Sequence, residues 1–392
     1  MLPNITPKNY PQQLESRARL QPITRHFLGA ALVGFGTAAH ADTTLYGSAR
    51  VSLDYDDFDS TYARAADGSL VRVTPGSNAW DVFNNTSRLG VRGEEDLGGG
   101  LSAIYQYEFG VDMTEGGNLN SNRPKWVGLK GGFGSVTAGT QWTPYYNVIG
   151  IGDIFNSSKV FDDDTYLGNT FGLRMDNSVI YTTPNFSGFS AQAMLVFNGS
   201  CSPSDPTTPA DLCKTSTDNK LPGNLSDDLD MWNIGVSYKN GPFFVGGTYM
   251  GLEGSEFSDF VTKPTYDGDQ WGLAFGYNSG PIAVTLAYEN GDVNTLYFGK
   301  SENIYLTGQY TFGPNIIRAS YGFVSPEDDR IPVVVNNVPG VIVQDEINNW
   351  ALGYQYNFSK RTRVWVEWMD RDVDSSLVGD KQTISIGTRH DF

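Results

Sequence analysis

Strict alternation of apolar and polar residues, repeated along almost the whole chain, most constrains how this chain can fold. In WALGYQYNF, residues 350–358, bulky apolar side chains occupy every second position, and small or polar side chains occupy the positions between. Successive side chains of a β-strand point to opposite faces, so the pattern predicts a strand with one apolar and one polar face. Sixteen segments share it: Thr44–Asp56, Ser87–Asp96, Leu101–Asp112, Arg123–Phe133, Ser135–Trp142, Arg174–Thr183, Phe189–Asn198, Met231–Lys239, Phe243–Leu252, Trp271–Tyr277, Ile282–Glu289, Asn303–Phe312, Ile316–Val324, Trp350–Phe358, Arg363–Asp372 and Thr383–Phe392.

The composition indicates what the two faces of these strands contact. Mean hydropathy is only −0.32, yet the chain holds 22 Phe, 21 Tyr and 8 Trp. A membrane β-barrel explains both facts, because its lipid-facing apolar residues alternate with polar residues that face a wet interior. A soluble β-sandwich or propeller also has short strands, but it buries its alternating face against a second sheet. An even number of segments is typical of bacterial barrels.

The connections between segments alternate between short and long. Gly and Pro supply the backbone angles of tight turns, predicted at Asp96–Gly100, Gly131–Gly134, Asn240–Pro242, Asn278–Pro281, Gly313–Pro314 and Ser359–Arg361. Long polar loops are predicted at 143–173, 199–230 and 325–349. Hydrocarbon offers no hydrogen bonds to an open sheet edge, so the first strand must pair with the last. We therefore predict an all-β fold, a sixteen-stranded antiparallel transmembrane β-barrel, over residues 42–392.

Residues 1–41 are predicted to be a signal peptide. A basic lead precedes the short apolar run Phe27–Ala38, and Ala39-His40-Ala41 follows as an A-x-A cleavage signal. An N-terminal membrane anchor is the alternative, but the apolar run is shorter than the roughly 20 residues that a spanning helix needs.

Charge and cysteine content narrow the possible partners. The chain carries a formal net charge of −17, which argues against binding to nucleic acid. Cys201 and Cys213 are its two cysteines and lie in one polar connection. After export to an oxidising compartment, a disulfide across that loop is the simplest prediction. The sequence suggests no metal site and no cofactor.

Four motifs identify a family resemblance. They are TLYGSARVSLDY (44–55), SRLGVRGEEDLGGGLSAIYQYE (87–108), RPKWVGLKGGFGSVTAGTQ (123–141) and the ending GTRHDF (387–392). Together they resemble the trimeric general porins of Gram-negative bacteria, of the neisserial and burkholderial type. Thr388 and Asp391 depart from the usual ending.

The resemblance implies location, assembly and partners. It places the barrel in the bacterial outer membrane as a homotrimer, in contact with membrane lipids and lipopolysaccharide. It implies that Phe392 is the terminal signal read by the outer-membrane assembly machinery. It also implies that the third long loop folds inward and narrows a water-filled channel for ions and small hydrophilic solutes.

Basic residues in the early strands are candidates for the channel constriction. The alternation places six of them on the polar, lumen-facing side, where charge stays hydrated: Arg50, Arg88, Arg92, Arg123, Lys125 and Arg174. Each could equally be an ordinary solvated lumen residue. The resemblance assigns Arg50, Arg88, Arg123 and Arg174 to a basic ladder, and Arg92 and Lys125 match the family pattern less closely.

The third loop supplies candidates of opposite charge. GIGDIFNSS, residues 150–158, stands where the family has its constriction segment, so Asp153 is expected to face the arginines. Asp162 begins an acidic run that either adds negative charge to the constriction or is simply solvated. Opposed charges across a narrow eyelet orient polar solutes.

Three other functions fit the sequence less well. An outer-membrane enzyme would need a base beside a nucleophile, but beyond the leader the chain has one histidine, His390, and no G-x-S-x-G motif. A substrate-specific channel is the main alternative, because Tyr46, Tyr305 and Trp365 place aromatic rings on the lumen side. A plugged structural barrel has no segment in the sequence to form the plug. The sequence therefore predicts a general diffusion porin.

Overall fold

The computed structural model describes residues 42–116, 118–120, 123–160, 174–197, 229–253, 268–291, 300–327, 330–335, 338–343 and 345–392. The leader predicted at 1–41, the predicted disulfide between Cys201 and Cys213, and Asp162 all lie outside the described residues. They stay predictions.

Strands dominate the described residues. Numbered in chain order, they are β1 (Asp42–Phe58), β2 (Thr61–Ala65), β3 (Leu70–Thr74), β4 (Ser77–Asn84), β5 (Arg88–Gly98), β6 (Leu101–Val111), β7 (Leu119–Asn120), β8 (Lys125–Gly131), β9 (Gly134–Trp142), β10 (Arg174–Thr182), β11 (Phe189–Val196), β12 (Met231–Asn240), β13 (Phe243–Leu252), β14 (Gly268–Ser279), β15 (Ile282–Gly291), β16 (Ser301–Phe312), β17 (Asn315–Pro326), β18 (Arg330–Val335), β19 (Val338–Val343), β20 (Ile347–Asn357), β21 (Thr362–Val373) and β22 (Lys381–Asp391).

Eighteen of these strands form one closed antiparallel sheet. Strands β4 and β5 pair end to end with the two halves of β1, so together they occupy one strand position of the barrel wall. Strands β7 and β8 both pair with β6 and likewise share one position, so the eighteen strands fill sixteen positions. Strand β22 pairs with β1 from Ser48↔Asp391 to Phe58↔Lys381, and this pairing is called the seam. The predicted sixteen-stranded antiparallel barrel is confirmed.

Side chains maintain the backbone ladder where β4 ends and β5 begins. Thr86 has a φ of 58°, which interrupts the strand. Across the gap, the N–H of Arg50 donates to Ser87 Oγ at 2.9 Å, and Ser87 Oγ–H donates to the Arg50 carbonyl at 3.0 Å. One serine hydroxyl thus replaces a pair of backbone hydrogen bonds of the sheet. The N–H and carbonyl of Arg50 therefore stay hydrogen-bonded where the strand is interrupted.

The two faces of the wall follow the predicted alternation. On β20, Trp350 and Leu352 point outward, with 51% and 55% of their surface exposed. Between and beyond them, Ala351 and Gln355 point inward and are buried. The outer face is therefore apolar and the inner face is small or polar, as a barrel with a wet lumen requires.

Glycine shapes the short turns at the predicted positions. Gly241, Gly280 and Gly313 have φ values of 56°, 59° and 58°, and each is followed by proline in a two-residue hairpin loop. Glycine at the first loop position is typical of type II′ hairpins, whose twist matches the flanking strands.

The long loops contain a second sheet that the sequence analysis missed. Strands β18, β19, β2 and β3 form a four-stranded sheet in that order, in which Gly340↔Ala65 and Val341↔Arg64 join two loops far apart in sequence. The predicted long loop over residues 325–349 therefore contains two strands of its own. No helix in the described part of the chain is long and apolar enough to cross a membrane.

The third long loop, residues 143–173 and called L3, turns inward at its first residues. Thr143 Oγ1 accepts a hydrogen bond from the N–H of Tyr146 at 3.1 Å and caps the short helix α1 (Pro144–Ile149). A polar cap followed by proline is a favourable helix start. A 3₁₀ turn, Gly150–Gly152, continues the loop.

The barrel wall leaves room for α1. A Cβ added to Gly246 would lie 2.8 Å from Val148, and one added to Gly272 would lie 2.7 Å from Ile149. Both loop residues are buried against the wall. Glycine at these wall positions thus lets the helix pack directly on the strands.

Hydrogen bonds hold this first part of L3 to the wall. The Tyr145 hydroxyl donates to Glu289 Oε1 at 2.8 Å and accepts from Gln270 Nε2 at 2.8 Å. The Tyr305 hydroxyl donates to the Ile149 carbonyl. Every one of these side chains is buried, so the bonds form away from competing water.

A buried carboxylate fixes the middle of L3. Glu367 on β21 accepts from the N–H groups of Asn156, at 2.9 Å, and Ser157, at 2.8 Å. Arg318 on β17 lies 3.4 Å from the same carboxylate and donates to Gln355 Oε1 at 2.7 Å. We call Glu367 and Arg318 with these loop amides the latch.

The next residues of L3 bind the seam side of the barrel. Lys159 Nζ lies 2.6 Å from Asp56 Oδ2 and 3.6 Å from Asp54 Oδ2. The N–H of Ser158 donates to Asn85 Oδ1 at 3.0 Å. The described part of L3 is therefore anchored from β14 round to β1, and the predicted inward-folded loop is confirmed.

Removing the charge of Glu367 should loosen L3. In Glu367→Gln, a neutral amide faces the N–H groups of Asn156 and Ser157, and Arg318 loses its counter-charge, so we expect about 3 kcal/mol lower stability. We also expect noisier, more variable single-channel currents in planar bilayers. Glu302→Gln, an exposed glutamate on the outer face, is the matched control. A quiet channel of unchanged conductance in Glu367→Gln would contradict the latch.

The last residue should be needed to close the seam. The N–H of Gly47 donates to the Phe392 carbonyl at 3.0 Å, the reverse bond is 3.1 Å, and a Cβ on Gly47 would collide with the Phe392 ring. We expect Gly47→Val to lower the free energy of unfolding by about 2–4 kcal/mol. Urea titration followed by electrophoretic mobility measures this. Gly308→Val, at an outer-face glycine with open space, should unfold like the wild type.

Candidate functional site

Five arginines line one side of the lumen, and we call them the arginine arc: Arg363, Arg389, Arg50, Arg88 and Arg123. The sheet register brings them together, because Arg363 pairs with Arg389 and Arg389 pairs with Arg50. Arg88 pairs with Ser48, two residues along β1 from Arg50. Directly paired residues of neighbouring antiparallel strands share a face. The arc therefore runs across the seam on the inner wall.

Two carboxylates partly balance the arc. Glu108 Oε1 accepts from Arg123 Nε at 2.6 Å, and both side chains are largely buried. Asp391 accepts from Arg363 Nη2 at 2.6 Å and from Arg389 Nε at 2.7 Å. Five guanidinium groups against two carboxylates leave this wall positively charged.

Asp153 of L3 provides opposite charge. It follows the 3₁₀ turn, and the Tyr146 hydroxyl donates to its Oδ2 at 3.4 Å. Enclosure by the barrel raises the pKa of Asp153 to about 6, while the Tyr146 hydrogen bond and the Arg50 charge lower it. The charges of Asp153 and Arg50 are therefore close enough to interact.

The surroundings of Asp153 act on its charge in two directions. The barrel encloses the residue, yet the side chain itself is exposed to the lumen. Because water reaches the carboxylate and stabilises its charged form, we expect Asp153 to titrate at or below pH 6. At neutral pH Asp153 then carries a negative charge inside the barrel.

The other predicted arginines lie near the arc without joining it. Arg92 points inward, near the end of the barrel that carries the short turns, which we call the short-turn rim. Its guanidinium carbon lies 5.2 Å from the centroid of the Tyr46 ring. Arg174 lies 4.5 Å from the Trp142 ring centroid, and Trp142 stacks on Tyr146 at 4.4 Å. Arg174 is therefore placed at the base of L3, beside the tyrosine that holds Asp153.

The prediction for Lys125 was wrong. Lys125 pairs with Tyr107, whose ring is exposed on the outer face, so Lys125 shares that outward face. Its neighbour Trp126 pairs with Gln106 on the lumen side instead. Strand β8 begins only at Lys125, and the irregular residues before it break the alternation that linked Lys125 to Arg123.

The sequence analysis also missed residues of the site. Arg363 and Arg389 lie on the last two strands, whereas the predicted basic residues all lie on early strands, and pairing across the seam brings the two groups together. Glu367 and Arg318 of the latch gave no local signal, because their role depends on a loop about 160 to 210 residues away in the chain. Closure of the barrel explains both omissions.

The three aromatic residues predicted to favour a substrate-specific channel, Tyr46, Tyr305 and Trp365, are engaged by the protein itself. Tyr305 and Trp365 are 0% and 1% exposed. Tyr305 contacts L3, and the Trp365 indole N–H donates to Ser385 Oγ at 3.2 Å. Tyr46 donates to Glu108 Oε2 at 2.9 Å. These rings support the wall and loop instead of offering a surface to a passing solute. Among the described residues, no cluster of three or more His, Cys, Asp or Glu is placed to hold a metal ion.

Comparisons with known proteins agree with this geometry. The chain is similar to the major outer membrane protein P.IB of Neisseria gonorrhoeae, with 27% identity over 88% of this chain and 92% of that protein. It is similar to the major outer membrane protein P.IA of Neisseria meningitidis serogroup B, with 28% identity over 91% of this chain and 96% of that protein.

A solved structure shares the fold. The anion-selective porin from Comamonas acidovorans superposes with a TM-score of 0.63 at 21% identity, covering 90% of this chain and all of that one. The family model for Gram-negative porins matches residues 29–376. Since that match spans most of the chain, this protein belongs to the Gram-negative porin family.

Proposed function

We propose that this protein is a general diffusion porin of the bacterial outer membrane, through which ions and small hydrophilic solutes pass passively. One observation supports the proposal: L3 is anchored inside a closed barrel, with its middle held by Glu367 and Lys159 bound to Asp56 of β1. We propose that Asp153 and the arginine arc face each other across the lumen that this loop narrows. A sixteen-stranded barrel encloses an aqueous channel instead of a packed core. The proposal assigns no catalytic step to the site.

The charge of the eyelet supports a preference for anions. Screening in physiological salt limits the range of each charge to about 8 Å. Charged residues beside the solute path therefore affect ion preference more than the net charge of the chain does. The arc exceeds its two carboxylates in charge and extends along one wall. Asp153 opposes it as a single carboxylate. We propose that small anions pass more readily than cations despite the acidic chain.

The oligomer and other partners follow from the family. We propose a homotrimer, in contact with outer-membrane lipids and lipopolysaccharide. We also propose that the assembly machinery recognises Phe392, whose ring is half exposed on the outer face. The apolar outer face, with side chains such as Leu352 and Trp350, supports placement in a membrane.

Neutralising part of the arc should shift ion preference toward cations. We expect the double variant Arg50→Gln with Arg88→Gln to lower the anion-to-cation permeability ratio roughly two- to fivefold per charge. Reversal potentials across a planar bilayer under a salt gradient measure this. Arg64→Gln, an exposed arginine in the four-stranded sheet of the loops, is the matched control. An unchanged ratio in the double variant would remove the arc from the eyelet.

Acidification should increase the preference for anions. Asp153 has a raised pKa of about 6, so it loses its negative charge as the pH falls through that value, while the arginines stay charged. Reversal potentials measured from pH 8 to pH 4.5 should shift toward anions with a midpoint at or below pH 6. Asp153→Asn should show the low-pH ratio throughout. A full shift that persists in Asp153→Asn would assign it to another group.

A further inference from the structure

A recess opens in the lumen wall on the side away from the arginine arc. It has a volume of about 310 Å³ and lies between the underside of L3 and strands β12–β16. Ile151 and Ile154 of L3 form its roof, and Phe244 forms one wall. Pro242 and Asn278, beside two of the short turns, mark its lower end. We call this recess the niche, and it opens toward the short-turn rim.

The register places a positive charge beside the apolar surface of the niche. Lys239 pairs directly with Phe244, and Phe244 pairs with Gly276. The three side-chain positions therefore adjoin one another on the inner face. A Cβ on Gly276 would lie 3.4 Å from both Ile151 and Phe244, so the missing side chain leaves open space between loop and ring.

The ammonium group of Lys239 is available to a ligand. Lys239 is exposed, and it makes no ion pair with any other residue in the described part of the chain. Glu289 on the same wall is engaged by Tyr145 and Asn303. Polar groups of Gln309 and Thr285 complete the lining. An apolar recess with one charged group and a few polar groups is typical of a small-molecule site.

We propose that the niche binds small organic anions with an apolar body, such as aryl carboxylates, on their way through the channel. The carboxylate pairs with Lys239 while the ring packs on Phe244 and under Ile151 and Ile154. This proposal rests on the proposed channel function and adds a class of preferred solute to it. An inorganic anion would leave the apolar surface unused, and a neutral ring would leave the lysine unpaired.

The niche differs from the eyelet in position and in chemistry. The arginine arc lies on β21, β22, β1, β5 and the residues before β8, whereas Lys239 and Phe244 lie on β12 and β13. A solute bound in the niche would partly obstruct the channel below L3.

Block of the open channel tests the site. The full-length mature protein is inserted into planar bilayers in KCl, and phenylacetate is added to each side in turn, with acetate and phenylacetamide as comparison solutes. We expect phenylacetate to reduce the current at millimolar concentration, most strongly from the short-turn side. Acetate and phenylacetamide should each block about tenfold more weakly, because each lacks one of the two contacts.

Two variants separate the contacts, and a third serves as control. Lys239→Gln and Phe244→Ala should each weaken the phenylacetate block about tenfold. Lys360→Gln, a lysine in a short turn at the same rim, should leave it unchanged. Conductance in KCl without solute reports separately on the channel. If no variant or wild-type channel conducts, the proposed function fails.

The remaining outcomes concern the niche alone. A conducting wild-type channel blocked equally by phenylacetate and acetate would overturn the inference. So would an undiminished phenylacetate block in Lys239→Gln. If Phe244→Ala disturbs L3, its KCl conductance will change, and Lys239→Gln, an exposed polar replacement, still decides the matter.

Discussion

The requirement that every backbone N–H and C=O be paired determines this structure. Hydrocarbon supplies no hydrogen bonds, and each orphan group costs several kcal/mol, roughly. A sheet avoids that cost in a membrane only by closing on itself, and β22 therefore pairs with β1 along the whole seam. The break between β4 and β5 obeys the same requirement, because Ser87 supplies the bonds that the strand loses there. The terminal Phe392 completes the seam at Gly47.

Closure makes the wall, and buried polar contacts inside it make the channel. L3 is held along its described length by groups from β14, β15, β16, β21 and β1. In the latch, Glu367 joins two loop amides to Arg318 in a buried setting. A buried charge that is paired and fully hydrogen-bonded is stable, whereas one left alone is costly. The loop position in turn sets the distance from Asp153 to the arginine arc and forms the roof of the niche.

Much of the fold could be predicted from local pattern. Alternation gave the strands, Gly-Pro pairs gave the turns, and the need for closure gave the antiparallel barrel. Alternation failed where strands were irregular: the turn-like residues before Lys125 reversed its face relative to Arg123. Strands β18 and β19 are rich in valine but lack this alternation. They belong to the four-stranded sheet of the loops, outside the barrel wall, where no lipid-facing side selects every second residue.

The sequence by itself determined the barrel, since the solvent on each face of a strand selects its side chains residue by residue, and that selection is visible in the chain. It also placed Arg50, Arg88 and Arg123 on the lumen face and Asp153 on the inward loop. Only the tertiary structure decided which charges meet. Arg389 and Arg363 join Arg50 because the two chain ends pair at the seam, and Glu367 meets Asn156 because a loop crosses the lumen. Such contacts depend on three-dimensional closure, which a one-dimensional pattern requires but does not specify.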